Sequence, residues 1–423
     1  MSITKINQCR LCGNHDLIKI FNLGEQYLAS SFPKIGDPEP LQAPLILVKC
    51  NDALDQSHCG LLQLEHTVNA NTLYCDHYGY RSGLNNTMIS HLQELVQEIE
   101  SKVELNNNDI VLDIGSNDCT LLKSYSNTNL RRVGIDPTSN QFKQYYPDDV
   151  CRLPTFFNKD VFIQQYGEEK AKIVTTISMF YDLPDPLQFT KDIKDILHRD
   201  GIWVSEQAYA PTMLETNNFD TILHEHLTYL CLKQFQYIAD RVGLKIVDVT
   251  TNDCNACSVR ITMTHMDNPC QVSSNVNIIK LQEDVLSLHT LTPLVDFINR
   301  VDNNRSVLMD FLNKNQNKLI ILLGASTKGN VILQYYGIDN KIIKYASERN
   351  PEKYGRRTPG TNIHIISEQE ARDLKPDFFL VLPWHFKKEL LERERMFLEN
   401  EGKIIFPMPY VNIYDKNGLI DLI

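Results

Sequence analysis

The stretch Asp109-Ile-Val-Leu-Asp-Ile-Gly-Ser-Asn-Asp-Cys-Thr-Leu-Leu most narrows what this chain can fold into. Ile110, Val111, Leu112 and Ile114 form an apolar run that stops at Gly115 and gives way to an apolar-periodic segment. Such a run reads as a buried parallel strand turning tightly into a helix. Gly115 lets the backbone come close to a ligand, and Asp113 and Asn117 stand at the carboxyl end of the strand, where open α/β sheets hold their ligands. Asp136 ends the next apolar run, Arg132-Val-Gly-Ile-Asp. It lies about twenty residues on, the spacing at which an acid meets a ribose in such folds.

A dinucleotide turn would carry three glycines; this one has Gly115, with Asn117 and Cys119 at the other close-approach positions. A pyrophosphate is a poor guest there. S-adenosylmethionine carries no phosphate, and its sulfonium, amino-acid end and ribose need carbonyls and carboxylates. It is therefore expected ahead of NAD, with an unliganded turn as the third reading.

A chain of 423 residues is long enough for two or three cores. A formal charge of −11 argues against a nucleic-acid or anionic-membrane surface, each of which would want a basic excess. No apolar run approaches the ~20 residues of a membrane span, and the start lacks the apolar centre of a secretion signal, so a cytoplasmic protein is expected. The 11 cysteines, an odd number scattered through α/β segments, read as thiols or metal ligands rather than a disulfide framework.

Four of them stand apart. Cys9-Arg-Leu-Cys12-Gly is a metal knuckle, and Cys50 and Cys59 are its expected partners in a closed, structural tetrahedral zinc site. His58 is an alternative ligand, and buried thiols without metal are the bland reading. The first sixty residues are short of core and would benefit from a metal. Beyond them, Met88, His91, Leu92, Leu95, Val96 and Ile99 repeat at helical spacing and predict a helix from about Thr87 to Val103.

After Asp136, apolar runs alternate with helical periods, which means a parallel sheet covered on both faces. Gly243-Leu-Lys-Ile-Val-Asp-Val and Ser258-Val-Arg-Ile-Thr-Met-Thr leave no room for a crossover helix, so they must pair antiparallel. That is the strand order of a class I methyltransferase. Between these parts lies Phe219-Asp-Thr-Ile-Leu-His224-Glu225-His226. Its histidines are too close together for a His-Glu-x-x-His zinc site, and an imidazole near pKa ~6.5 can accept a proton at neutral pH. Farther on, Lys318-Leu-Ile-Ile-Leu-Leu-Gly-Ala-Ser-Thr-Lys328-Gly-Asn330 repeats the strand-to-turn logic. Its Lys-Gly order is the reverse of a Walker motif, but amides at a helix start plus Lys328 would suit a diphosphate.

Taken with Tyr78-Gly-Tyr80-Arg-Ser-Gly, Glu348-Arg349-Asn-Pro, Leu382-Pro-Trp-His and Pro407-Met-Pro, these motifs make the whole chain resemble the deoxysugar C-methyltransferases, which methylate C3 of nucleotide-linked 4-keto-6-deoxyhexoses. The resemblance implies an α/β protein in three parts. Residues 1–70 are a small zinc-binding module, 71–285 a central class I methyltransferase (Rossmann-like) domain, and 286–423 a C-terminal Rossmann-like domain that helps hold the nucleotide sugar. It implies His226 as general base with Glu225 and His224 alongside. Asp113, Gly115, Asn117, Asp136, Tyr80 and Ser178 are expected around S-adenosylmethionine. Tyr78, Lys328, Asn330, Arg349, Asn255 and Ser258 are expected around a TDP- or GDP-linked keto sugar, with no obligatory protein partner. The family's tyrosine before His-Glu-His is Leu223 here, a histidine after the third strand is replaced by Phe180, and its His-Gly-Gly-Ser loop is Asn255-Ala-Cys-Ser258. The alternatives are an O- or N-methyltransferase, a catalytically silent sugar-nucleotide binder and, last, a dehydrogenase.

Overall fold

The structure is a computed structural model that describes all residues except 1–2, 54, 56, 75–79, 255–257 and 423. Five strands open the chain: β1 (Ile3–Lys5), β2 (Leu17–Tyr27), β3 (Gln42–Cys50), β4 (Leu62–Leu64) and β5 (His66–Val68). After α1 (Ala70–Leu73), helix α2 (Asn86–Lys102) buries Met88, Leu92, Leu95, Val96 and Ile99, the face that the apolar spacing marks. Asn85 caps its first turn through Thr87.

The central sheet comprises β6 (Ile110–Ile114), β7 (Arg131–Ile135), β8 (Val150–Leu153), β9 (Ala171–Ile177), β10 (Leu197–Ala208), β12 (Leu244–Asn252) and β13 (Ser258–His265), while β11 (Thr228–Tyr229) lies elsewhere. Its order is β12-β13-β10-β9-β6-β7-β8, and β13 runs antiparallel to both neighbours. Helices α3 (Lys159–Tyr166), α4 (Pro186–Ile196), α5 (Ala210–Glu215), α6 (Leu232–Val242) and α7 (Ser274–Val285) accompany it. Trp203, fully buried on β10, donates its indole N–H to Thr176 Oγ1 at 2.9 Å, so the centre of this sheet has no unpaired polar atom on its largest side chain.

One expectation is corrected here. No helix follows Gly115; residues 116–121 form turns, and Leu122–Ser124 is a single 3-10 turn. The cause is local, since Asn117 and Cys119 both hold positive φ, 48° and 67°, and so break the helical path that the apolar spacing suggests.

Helix α8 (Thr292–Lys314) leads into a second parallel sheet: β14 (Ile320–Leu323), α9 (Thr327–Tyr336), β15 (Tyr345–Glu348), β16 (His364–Ser367), β17 (Phe378–Val381), β18 (Lys403–Phe406) and the antiparallel pair β19 (Asn412–Asp415) and β20 (Gly418–Leu422). Its order, β16-β15-β14-β17-β18-β19-β20, is Rossmann-like. No helix among the described residues is long and apolar enough to cross a membrane.

The amino-terminal sheet, β11-β4-β3-β2, joins the other parts because β11 comes from the middle of the chain. Phe21, Leu23, Leu45 and Leu47 share a core with Phe219, Leu223 and the C-terminal strands, whereas Cys9, Leu11, Cys50 and Cys59 pack with Leu230, Leu232 and Phe235. The four sulfurs of Cys9, Cys12, Cys50 and Cys59 lie within 4.8 Å of one another, and the Cys9–Cys59 and Cys12–Cys50 separations are each 3.5 Å. Four Zn–S bonds of about 2.3 Å set tetrahedrally need sulfurs about 3.8 Å apart, so this cluster fits a closed structural zinc. Stripping the metal with a strong chelator, or the substitution Cys50→Ser, should release one zinc per chain. Because these thiols belong to a core shared with the central domain, it should also lower the melting temperature by more than ~5 °C in a thermal melt.

Candidate active site

A cavity of about 490 Å³ opens at the carboxyl ends of β6, β7 and β9. Gly115 begins its floor with φ of 78°, and a Cβ there would stand 3.0 Å from Met179 Cγ, so the close packing needs glycine. Asp113 Oδ1 accepts from Thr175 Oγ1 at 2.6 Å, and burial pushes its carboxyl up to about 7. Asp136 Oδ2 accepts the Asn117 N–H at 2.8 Å, and Oδ1 accepts the Thr138 N–H and hydroxyl, both at 2.6 Å. The second acid is thus aimed by the turn that follows it, and burial raises its pKa. Asn117 fastens the next wall: its Oδ1 accepts the Ser82 N–H at 3.0 Å and its Nδ2 donates to the Tyr80 carbonyl at 3.1 Å. Ser178, with φ of 54°, and Tyr80 line the same space.

The charge of this lining decides between guests. Asp113, Asp136, Asp182, Asp185 and Asp192 contribute to it, and none of the described lining residues is Lys, Arg or His. A pyrophosphate would find no cation. A ligand with an ammonium and a sulfonium would find carboxylates, a ribose acid and an apolar wall of Ile135, Phe156, Phe157 and Leu183 for a flat base. The residues present therefore fit S-adenosylmethionine.

Next to Asp182 on the cavity wall, Tyr181 packs against His226, which hangs from the 3-10 turn Phe219–Thr221. His226 Nδ1 donates to the Thr221 carbonyl at 2.8 Å, which leaves Nε2 as the acceptor nitrogen. Its ring lies 4.2 Å from that of Tyr181, whose neighbour Asp182 lines the donor cavity. Burial first, and then the Lys328 ammonium, push the imidazolium down to about 3, so His226 is neutral at pH 7. Asp220 Oδ2 accepts the Trp384 indole N–H at 2.9 Å. Burial and Lys328 push the nearby His385 down to about 3 as well. Asp182 Oδ2 accepts the Tyr74 hydroxyl at 2.7 Å, and burial holds that carboxyl well above the usual range. Glu225 is buried, and burial raises it too.

Asp113, Gly115, Asn117, Asp136, Tyr80 and Ser178 thus meet in one cavity, and His226 lies against Tyr181, the neighbour of Asp182 on its wall. Others fall elsewhere. His224 is corrected from a catalytic neighbour to a structural one: it is buried and its Nε2 pairs with the Ala43 carbonyl at 3.1 Å. Asn330 is likewise wholly buried, donating to the Ala29 carbonyl at 2.7 Å, and Ser258 is buried with its hydroxyl on the Cys254 carbonyl at 3.0 Å. Arg349 stands on a separate cleft of about 190 Å³ beside Ser326 and Lys353. Tyr78 and Asn255 lie outside the described residues. Phe180 packs in the core against Phe189, Trp203 and Phe235, so Tyr181, not Phe180, faces His226. Sequence reasoning missed Asp182, although it follows a parallel strand as Asp113 and Asp136 do; it missed Tyr74, Asp220 and Trp384 because their pairing is long-range.

Asp113 sets a pH dependence. An ammonium binds the ionised carboxylate, and the free enzyme's carboxyl takes up a proton as pH falls through about 7. Donor affinity should then fall about tenfold per unit below that point. Calorimetric titration with S-adenosylmethionine between about pH 5.5 and 8.5 should show this slope, and Asp113→Asn should flatten it and weaken binding; a flat profile in the unmodified protein would contradict the assignment.

Comparison with known proteins agrees with the geometry. The family description "C-methyltransferase C-terminal domain" matches residues 254–409, and a zinc binding domain matches residues 9–74. The C-methyltransferase NovU of Streptomyces niveus is 27% identical over 419 residues, covering 96% of each chain. Among solved structures, the complex of the Haloferax volcanii Trm112 methyltransferase activator with a methyltransferase covers 43% of this chain and 94% of that one at 13% identity, TM-score 0.36. The CurJ carbon methyltransferase covers 44% and 57% at 12% identity, TM-score 0.35. Both overlaps are partial, and the fold assignment rests on the strand order. With a C-methyltransferase C-terminal domain, a zinc binding domain, a curated C-methyltransferase aligned nearly end to end and a cavity suited to the donor, the protein is a C-methyltransferase that depends on S-adenosylmethionine.

Proposed function

We propose that the enzyme methylates C3 of a 4-keto-6-deoxyhexose linked to TDP or GDP. The observation that carries this reading is His226: a neutral imidazole whose Nδ1 is fixed on a carbonyl and whose Nε2 is left to accept, beside the edge of the donor cavity. Carbon methylation needs a carbanion equivalent, and a ketone supplies one by acidifying its neighbouring C–H. His226 Nε2 takes that proton, and the electron pair passes into an enolate. The bound donor supplies an electrophilic methyl group. The buried Asp182 and Glu225 carboxyls, both shifted toward the protonated form, offer hydrogen bonds to sugar hydroxyls, and Tyr74 orients Asp182. Arg349 and Lys353, beside the amino-terminal end of α9, suit the diphosphate.

Incubation with S-adenosylmethionine and a panel of TDP- and GDP-linked 4-keto-6-deoxyhexoses, followed by mass analysis and NMR, should show a product carrying a new C–CH₃ group. His226→Asn should lower turnover by roughly 10²- to 10⁴-fold while leaving donor binding within about twofold. An O–CH₃ signal, or normal turnover in that variant, would remove the enolate reading.

A further inference from the structure

Among the described residues, one cluster besides the four cysteines brings metal-ligating atoms together: a His91 nitrogen, a Glu206 carboxylate oxygen and the Cys254 sulfur all lie within 4.8 Å of one another. They come from α2, from β10 and from the turn after β12, so no spacing along the sequence announces them. Glu206 is 1% exposed, while His91 and Cys254 are half-buried, which leaves the cluster a route to solvent. His91 Nε2 is hydrogen-bonded to Glu206 Oε1. The other oxygen, Oε2, accepts from Arg260 Nε at 2.7 Å and from Asn252 Nδ2 at 3.0 Å. Asn252 also accepts the Cys254 N–H on its Oδ1 at 2.9 Å, and Ser258 Oγ donates to the Cys254 carbonyl at 3.0 Å. One asparagine thus aims two of the three groups.

A buried carboxylate that keeps one oxygen on fixed donors and turns the other toward an imidazole and a thiol has the form of a metal ligand with its outer shell in place. Bonds of about 2.0–2.3 Å set tetrahedrally hold their ligand atoms about 3.3–3.8 Å apart, a spacing that the 4.8 Å bound admits. We propose that His91, Glu206 and Cys254 form a second metal site, separate from the four cysteines, for a zinc-class divalent ion. Nitrogen, oxygen and thiolate donors together suit a borderline-soft ion rather than magnesium or calcium, which take oxygen. Three protein ligands leave a fourth position to water, so this site is open where the first is closed. The hydrogen bond between His91 and Glu206 holds the two ligands side by side. As the ion enters, that proton and the Cys254 thiol proton leave to solvent. Charge balances as well. Arg260 is shared between Glu206 and Glu98, so Glu98 offsets the guanidinium, and carboxylate and thiolate together meet the two charges of the ion. The ion clasps α2 to the central sheet at the donor wall. Leu92, the residue after His91, lines the donor cavity, and the Glu206 carbonyl accepts at 2.7 Å the N–H of Ser178, which lines it too.

Cobalt tests this on the holoprotein. Zinc-loaded protein, with its one ion on the four cysteines, is dialysed against Co²⁺ alone, and bound cobalt, retained zinc and the absorption spectrum are measured together. One cobalt per chain should bind with the zinc kept, bringing a thiolate-to-cobalt charge-transfer band in the near ultraviolet and raising the melting temperature. Cys254→Ser should abolish the band. His91→Gln, which keeps a hydrogen bond to Glu206, should weaken cobalt binding by at least about tenfold, the scale on which even outer-shell partners act. Without added metal both variants should melt close to the unmodified protein, and either one decides if the other folds poorly. Cobalt taken up only in exchange for zinc, or not at all, overturns the proposal. So does an additional cobalt whose band survives Cys254→Ser and whose affinity survives His91→Gln, which would put it on another thiol.

Discussion

The segment from Asn217 to Cys231 is pinned from three sides, and the placement of every reactive group depends on that. The C-terminal domain holds it through Asn217 Nδ2 on the Pro409 carbonyl at 2.8 Å and through Trp384 on Asp220. The amino-terminal module holds it through the His224–Ala43 contact and the pairing of β11 with β4. The methyltransferase sheet holds it through Thr228 Oγ1 on the Tyr181 carbonyl at 3.2 Å and the Ala210 N–H on Leu230. The backbone of His226 is therefore fixed from three sides, and its ring is held by Nδ1 on the Thr221 carbonyl and by Tyr181.

The donor cavity gathers aspartates, with no basic side chain among its described lining residues, and suits a cationic donor. Tyr181 and Asp182 tie His226 to its wall: the first lies tilted against the imidazole at 4.2 Å and the second lines the cavity. The four cysteines are not among the cavity's lining residues, yet β4 of the same module pairs with β11, two residues after His226.

The donor cavity was legible in the sequence because its determinants are local. An apolar run, a glycine and an acid at the end of each strand are neighbours along the chain, and Asp113, Gly115 and Asp136 fall where that pattern puts them. The zinc knuckle was legible for the same reason. What failed was anything set by partners far away. The helix after Gly115 is missing because Asn117 and Cys119 adopt left-handed backbone, which apolar spacing does not encode. His224 and Asn330 looked like ligand groups in their motifs, but distant carbonyls of Ala43 and Ala29 claim them. Likewise Phe180 and Tyr181 alternate about the chain, and only the packing of Phe189 and Phe235 decides which ring enters the core.

The chain contains two tryptophans, and the fold puts them to different uses. Trp203 is sealed in the central sheet, whereas Trp384 lies in the seam, bonded to Asp220. Their emission is accordingly a pair of separate optical gauges, one for the integrity of the sheet and one for the seam. Replacing Trp203 by phenylalanine leaves a single indole whose colour reports the Asp220 contact in the seam, with no label attached.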